Sequence, residues 1–468
     1  MDLCDNTVDL RDDGAILLVS CYELGHQPYG VAHPSGFLNR AGYSPAALDI
    51  AVDGWDVAAV QAARFIGISV PMHTALRLGL KVIQRIREVN PRCIVCCYGL
   101  YASLNATYLL SQGADYCVGG ESEAPMLDLV RTLESESTST VTGVIGPGQP
   151  AVPYLERLPF AVPARDTLPQ LDRYAHLESA GENRVAGYTE ASRGCLYGCT
   201  HCPIPPVYGR RFFVVPLETV LADIRQQVAQ GATHITFGDP DFLNGPGHAL
   251  RVVDTMHREF PDLTFDFTAK VEHLLKQSAR LEEFAAAGCL FIVTAVESLS
   301  DKVLKILDKG HTRQDAVAAV RRVRQAGIAP RPTWVPFTPW ETLEDFQQLL
   351  VWIESEDLID YIDPVQYAIR LLVPPGSWLA QHPACLPYLG ALDAAALSYQ
   401  WAHPDPRMDV LQREVARLVA DDAEAEMDPS ATFYRVQAIA QGRPLSNAPR
   451  GLSRDRIRPP RLSESWFC

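Results

Sequence analysis

Three thiols within eight residues constrain this chain more tightly than any other feature of its sequence. Residues 192–203 read Ser-Arg-Gly-Cys-Leu-Tyr-Gly-Cys-Thr-His-Cys-Pro, which sets Cys195, Cys199 and Cys202 in a CxxxCxxC spacing. Thiolates are soft ligands suited to iron–sulfur clusters and zinc, and the glycines let a loop fold back so that all three point at one centre. A structural zinc site closes with four ligands, and an electron-transfer 4Fe-4S cluster takes four cysteines. Three local thiols therefore imply a cluster with one iron open to a further ligand. The chain must supply a scaffold that carries such a loop on its rim.

Strand and helix patterns alternate on both sides of the loop. Residues 15–20 are a continuous apolar run leading into Cys21 and a Gly-, Pro- and His-rich stretch to Gly36, as expected of a buried parallel strand and its loop. The pattern recurs as strands over 65–70, 93–97 and 116–118 and helices over 38–43, 74–88 and 103–111. This βαβ repetition predicts a doubly wound, Rossmann-like parallel sheet with ligands outside the carboxyl ends of its strands, at 21–36, 71–74, 98–102 and 119–123. A Ser-, Thr-, Gly- and Pro-rich stretch over 135–163 reads as a linker. A strand over 187–192 leads into the cysteine loop. After it, helices over 217–230, 247–259, 281–287 and 315–326 alternate with strands over 234–237, 264–268, 290–295 and 331–336. That predicts a partial (β/α)6 barrel with its site on one rim. A strand over 365–373 carries Arg370, and helical stretches over 392–400 and 408–420 predict a small C-terminal helical cap. The expected division is 1–134 Rossmann-like domain, 135–180 linker, 181–375 barrel, 376–449 cap and 450–468 a disordered basic tail.

Charge and composition narrow the function classes. Against 41 Lys and Arg stand 56 Asp and Glu, a net −15, and no basic stretch precedes 450–461, which disfavours a nucleic-acid substrate. Residues 1–13 lack the order of a secretory signal, and no run of about 18 apolar residues occurs, so the chain reads as cytoplasmic with no membrane segment. Twelve cysteines in such a chain are mostly buried thiols, and Cys93, Cys96 and Cys97 lie in or beside an apparent buried strand.

Gly113 to Glu123 and the cysteine loop each carry a resemblance to a known family. Gly-Ala-Asp-Tyr-Cys-Val-Gly-Gly-Glu-Ser-Glu over 113–123, in a domain ahead of the cysteine loop, resembles the cobalamin-binding domain that precedes many radical S-adenosylmethionine (SAM) enzymes. The Asp-x-His-x-x-Gly motif of other cobalamin proteins is absent, and His26, His33 and His73 are open as cobalt neighbours or as ordinary loop residues. The CxxxCxxC loop after a first barrel strand resembles the radical SAM superfamily itself. In that family three cysteines ligate a 4Fe-4S cluster, its open iron is chelated by the amino and carboxylate groups of SAM, and one electron cleaves the sulfonium.

The resemblance implies roles residue by residue. Asp239, in Phe-Gly-Asp-Pro-Asp over 237–241, matches the last residue of the family's Gly-Gly-Glu, which holds the methionine amine; the alternative is that Asp239 or Asp241 caps a helix. Lys270 and Glu272 stand where the family contacts the cofactor's carboxylate or ribose, or they are surface ion pairs. Glu297 and Ser298 match a Glu-Ser element that approaches the ribose or methionine, and 305–312 continues that match. Val335 lies on the strand whose backbone meets the adenine, and His201 stands where the family often has an adenine-stacking aromatic. Arg370 suits a substrate carboxylate or a salt bridge. The ending Ser-Trp-Phe-Cys resembles a radical SAM group with a Cys-Cys-Ala-Glu-Pro or Cys-selenocysteine-Ala-Glu-Pro tail, as if read to a UGA codon after Cys468. The implied function is cobalamin-dependent methyl transfer or another radical modification of an unknown substrate, with a ferredoxin or flavodoxin as electron donor. The alternatives are an iron–sulfur electron-transfer or sensing protein, a structural zinc protein, and a methylthiotransferase acting on RNA.

Overall fold

The computed structural model describes residues 9–135, 139–445, 451–453 and 456–464. The first sheet comprises β1 (Ile16–Ser20), β2 (Ala46–Asp49), β3 (Phe65–Ser69), β4 (Ile94–Tyr98), β5 (Tyr116–Val118) and β6 (Val144–Ile145), in the order β2-β1-β3-β4-β5-β6. All pairs are parallel except β5 with β6. Every residue of β1 and β3 is buried, because helices cover both faces and leave no side for alternating polar residues. Strand order reverses between β1 and β3, the place where doubly wound sheets open a ligand crevice at their carboxyl ends.

The stretch after β1 reads as a loop because of His33-Pro34-Ser35-Gly36, yet it is a helix, Tyr29–Arg40. A proline inside a helix deprives the carbonyl four residues earlier of its donor. Here the Tyr98 hydroxyl donates to that carbonyl, Gly30 O, at 2.7 Å. Gly36 is needed for packing, since a Cβ there would lie 2.2 Å from Val162 O.

The second sheet comprises β7 (His176–Ser179), β8 (Glu182–Thr189), β11 (His234–Phe237), β12 (Thr264–Thr268), β13 (Cys289–Glu297), β14 (Ala329–Trp334) and β17 (Arg461–Leu462), in the order β14-β13-β12-β11-β8-β7-β17. The parallel run β8-β11-β12-β13-β14 is a half-barrel. Its outer face, with Ile235, Phe237, Phe265, Phe267 and Ile292, packs under the helices in the largest core.

Several sequence expectations are corrected. The strand expected over 187–192 ends at Thr189, and a separate β9 (Ser192–Gly194) pairs antiparallel with β10 (Phe212–Val214). The expected strand over 365–373 is a 3₁₀ turn at Pro364–Tyr367 followed by one bridge, Phe337 to Arg370. The expected helix over 392–400 is a hairpin of β15 (Leu389–Asp393) and β16 (Ser398–Trp401): Asp393 accepts from the N–H groups of Ala395 and Ala396, and this side-chain turn overrides the helix propensity of the alanines. The tail expected to be disordered is docked where described. Arg456 meets Asp360 and Asp428, Arg461 in β17 meets Glu178 at 2.7 Å, and Glu464 accepts from the Tyr22 hydroxyl at 2.7 Å. Cys468 lies outside the described residues. No helix among them is long and apolar enough to cross a membrane.

The two sheets are bound by a buried linker arginine. Arg165 grips Asp223 with Nε and Nη2 at 2.6 and 2.9 Å, donates to Tyr188 O at 2.7 Å, and reaches Gln27 after β1 at 2.7 Å. Arg165→Met leaves the Asp223 carboxylate buried without its cation and should cost about 3–5 kcal/mol in chemical denaturation. The double variant Arg165→Met/Asp223→Leu should recover part of that loss.

Candidate active site

The cysteine loop rises from β9. Gly194 has φ +76°, and a Cβ there would lie 2.4 Å from Arg211 O, so only glycine makes this turn. Cys195 and Cys199 are buried and Cys202 is half-buried. Thr200 hangs the loop on the segment after β13, through its N–H to Leu307 O and its hydroxyl to Ile306 O, each at 3.0 Å. Asn244 Oδ1 accepts from the Leu196 N–H at 3.4 Å, close to Cys195. Lys270 Nζ lies 3.5 Å from Cys199 Sγ and 3.6 Å above the Tyr197 ring. The Tyr197 hydroxyl meets His273 Nε2 at 2.9 Å, and His273 Nδ1 meets Asp241 at 2.7 Å.

These residues fit an iron–sulfur cluster. Among the described residues no three His, Cys, Asp or Glu side chains converge on a single-ion position. A cubane needs no such convergence, since each cysteine serves its own iron. The ammonium beside Cys199 opposes the negative charge that three ligating thiolates bring.

Three carboxyls stand on the rim. Gly238 admits Tyr188, whose hydroxyl would overlap any Cβ there, and this close packing sets the neighbouring Asp239 toward the loop. Asp239 is buried; it accepts from the Ala191 N–H at 2.9 Å and the Ser192 hydroxyl at 2.5 Å. Burial pushes its carboxyl up to about 7 against those hydrogen bonds. Glu297 sits at φ +70°, a left-handed conformation costly for a residue with a Cβ. Lys309 Nζ at 3.0 Å and His201 Nε2 at 3.3 Å flank it. Burial opposes its ionisation, but these two neighbours outweigh it and hold the carboxyl below the usual range. Glu341 accepts from the Ser298 hydroxyl at 2.8 Å, its other oxygen is buried without a hydrogen bond among the described residues, and burial pushes it up to about 8.

The rim faces the first sheet across Arg193, two residues before Cys195. Its guanidinium meets Glu123 at 2.7 Å, Glu190 at 3.0 Å, Glu121 at 3.6 Å and His33 Nδ1 at 2.8 Å. Gly120, with φ +76° and a Cβ position 2.2 Å from Tyr154 O, turns β5 so that Glu121 and Glu123 enter this seam. Burial raises Glu121 and Glu190 to about 7 despite Arg193. At the carboxyl ends of the first sheet, Ser20 Oγ, His26 Nε2, His33 Nε2, Ser103 Oγ and Glu123 Oε2 are buried without hydrogen-bond partners among the described residues. Orphaned polar atoms at a strand switch point fit a polar ligand held between the sheets.

The structure therefore gathers Cys195, Cys199, Cys202, Lys270, Asp239, His201 and Glu297 around one loop. Val335 is placed against Glu297, its N–H donating to Glu297 O at 2.9 Å. Asp241, not Asp239, is the cap, accepting from the Leu243 N–H at 3.2 Å. Glu272 is tied to Lys276 at 2.5 Å, and Arg370 is held by Asp409 at 2.7 Å with its guanidinium over Trp401. His73 is committed to Ala396 O at 2.8 Å. Sequence reading missed Arg193, Lys309 and Glu341. For Lys309 the signal was present, in the stretch 305–312 already singled out.

Asp239 gives a pH test. Its folded pKa of about 7 lies above the unfolded value near 4, so its contribution to stability is full below about 4 and is lost as pH rises through 7. In denaturant titrations of the metal-free protein, Asp239→Asn should lose less stability than the parent between pH 4 and 7, by a difference on the order of a few kcal/mol.

The family model described as the radical SAM superfamily matches residues 189–353. An uncharacterized methyltransferase of Pyrococcus horikoshii is 24% identical over 273 residues, and the match covers 56% of each chain, so the chain spans little more than half of that relative. The solved structure of the cobalamin-dependent SAM radical enzyme OxsB, with aqua-cobalamin and SAM bound, superposes with a TM-score of 0.69 at 17% identity, covering 87% of this chain and 67% of that one. The radical SAM methyltransferase TsrM of Kitasatospora setae, with cobalamin and a 4Fe-4S cluster bound, gives a TM-score of 0.57 at 20% identity over 73% of each chain. Residues 189–353 are thus a radical SAM superfamily domain, set behind a flavodoxin-like sheet in the fold of the cobalamin-dependent members.

Proposed function

We propose that this chain is a radical SAM enzyme that uses cobalamin for methyl transfer, or for a related radical modification, on a substrate yet to be identified. The observation that carries this reading is the three-cysteine loop, carboxylate-rimmed, facing a seam of orphaned polar atoms at the switch point of the first sheet. Cys195, Cys199 and Cys202 would hold the 4Fe-4S cluster, Asp239 the ammonium of SAM, and the carboxyl ends of β1, β4 and β5 the cobalamin. Bound there, the cluster would supply a low-potential electron and the cobalt a carrier for the methyl group.

The chain's own residues prepare this site. Asp239 holds a proton near neutrality, and an ammonium beside it would favour its ionised form. Lys309 and His201 keep Glu297 charged, and the buried Lys270 places a donor on Cys199. A ferredoxin or flavodoxin would deliver the electron. The net charge of −15 opposes an RNA substrate. The ten described cysteines are free thiols, consistent with a reducing cytoplasm.

Anaerobic reconstitution with iron, sulfide, cobalamin and SAM tests the reading. The expected result is a brown 4Fe-4S absorbance and reductant-dependent formation of deoxyadenosine or S-adenosylhomocysteine, both lost in Cys195→Ala. Absence of both from the parent protein would sink it. Lys270→Met removes a charge-assisted donor from a cluster thiolate. It should make the midpoint potential more negative by about 60 mV or more in an EPR-monitored redox titration.

A further inference from the structure

The inner side of the cysteine loop is crowded with carboxylates, while the loop and the strand that follows it carry none of their own. Residues 194–217 include Arg210 and Arg211 and no Asp or Glu, in a chain of net charge −15. Residues 374–392, of which Ser377 to Leu379 lie on the loop, contain no charged residue. The Ser377 hydroxyl donates to Thr200 O at 3.1 Å, and the Leu379 N–H donates to the same carbonyl at 2.8 Å. This fastening carries Trp378 onto the loop. A Cβ at Gly198 would lie 3.2 Å from the Trp378 ring and 3.6 Å from the Arg210 guanidinium carbon, so the two side chains meet over the backbone next to Cys199.

Trp378 is nonetheless 39% exposed and Leu196, adjacent to Cys195, 42%. Arg210 occupies the left-handed region at φ +63°, and its Nε donates to Leu196 O at 3.3 Å. That conformation is uncommon for a residue with a Cβ, and here it lays a guanidinium across the loop. Arg211 beside it is exposed, and neither arginine has a carboxylate partner among the described residues.

We propose that Leu196, Trp378, Arg210 and Arg211 form the docking surface for an acidic one-electron donor protein of the flavodoxin class. The exposed apolar pair supplies contact area, the arginines supply charge complementarity on an otherwise acidic molecule, and the surface lies one residue from two of the three thiols. One electron passes from the flavin hydroquinone, which becomes semiquinone and releases a proton, to the oxidised cluster. The inference rests on the reductive chemistry proposed above.

The test uses the reconstituted full chain and an acidic flavodoxin. Its binding is measured by fluorescence anisotropy at low and high salt, and cluster reduction by flavodoxin hydroquinone is compared with reduction by dithionite, which needs no docking. Arg211→Glu, whose side chain makes no hydrogen bond to the loop among the described residues, should weaken flavodoxin binding about tenfold or more at low salt with dithionite reduction unchanged, and the double variant Arg210→Glu/Arg211→Glu should weaken binding further. Trp378→Ala should weaken binding with little change in its salt dependence. Unaltered affinity in Arg211→Glu would overturn the proposal, as would loss of dithionite reduction in that variant, or binding of a tRNA transcript more tightly than flavodoxin through the same arginines. If the parent binds flavodoxin through these residues but yields no SAM cleavage with either reductant, the docking surface stands and the proposed reaction falls.

Discussion

The guanidinium of Arg193 is where the two sheets and the cysteine loop meet. It lies largely enclosed among Glu121, Glu123 and Glu190, two from the first sheet's last crossover and one from the end of the barrel's first strand, with His33 against its edge. A buried cation must be paired, and a buried carboxylate without a cation tends to keep its proton. Three carboxyls and one arginine cannot all be charged at low cost, and burial raises Glu121 and Glu190 to about 7 against the pull of Arg193. Because Arg193 is only two residues from Cys195, any shift between the sheets is felt directly at the loop. Arg165 repeats the device on the far side of Tyr188, whose carbonyl it binds. Together they explain how a seam full of polar groups stays closed.

The elements legible in the sequence were those whose signal is local. Apolar runs such as Ile-Leu-Leu-Val-Ser at β1 and Phe-Ile-Gly-Ile-Ser at β3 admit few other readings when helical periodicity follows them. The three cysteines, Asp239 and Glu297 were legible because their motifs are short and contiguous. What failed depended on a partner far along the chain. The helix Tyr29–Arg40 tolerates Pro34 because Tyr98 satisfies Gly30 O, 68 residues away. Leu-Asp-Ala-Ala-Ala-Leu has helical propensity, but one Asp393 carboxylate organises it as a hairpin turn. The tail is docked because its arginines find Asp360, Asp428 and Glu178, none of which a local pattern connects to it.

The same distinction separates the rim residues. Asp239 and Asp241 are two positions apart and of the same type, yet one is bonded to the strand that launches the cysteine loop and the other caps a turn and orients His273. Sequence supplied the pair and left their roles open. Gly238 sets the first of them, because Tyr188 packs where its side chain would be and so fixes the direction in which Asp239 leaves the strand. Glu341 carries no such local marker. It lies 43 residues from Ser298, and only the folded half-barrel brings its carboxyl to that hydroxyl.

Charge is sorted across the loop rather than spread around it. On the inner side stand Asp239, Glu297, Glu190 and Glu123, partly neutralised by Lys309 and Arg193. The loop and the strand after it omit acids for 24 residues, from 194 to 217. A cluster with three thiolate ligands is itself anionic, so carboxylates packed close to it raise the cost of adding an electron. Lys270, held on Tyr197 and against Cys199, offsets that cost where it is greatest. The inner carboxylates suit a cationic cofactor and the acid-free outer surface suits an acidic donor. One loop can serve both only because its two faces are built from different stretches of chain.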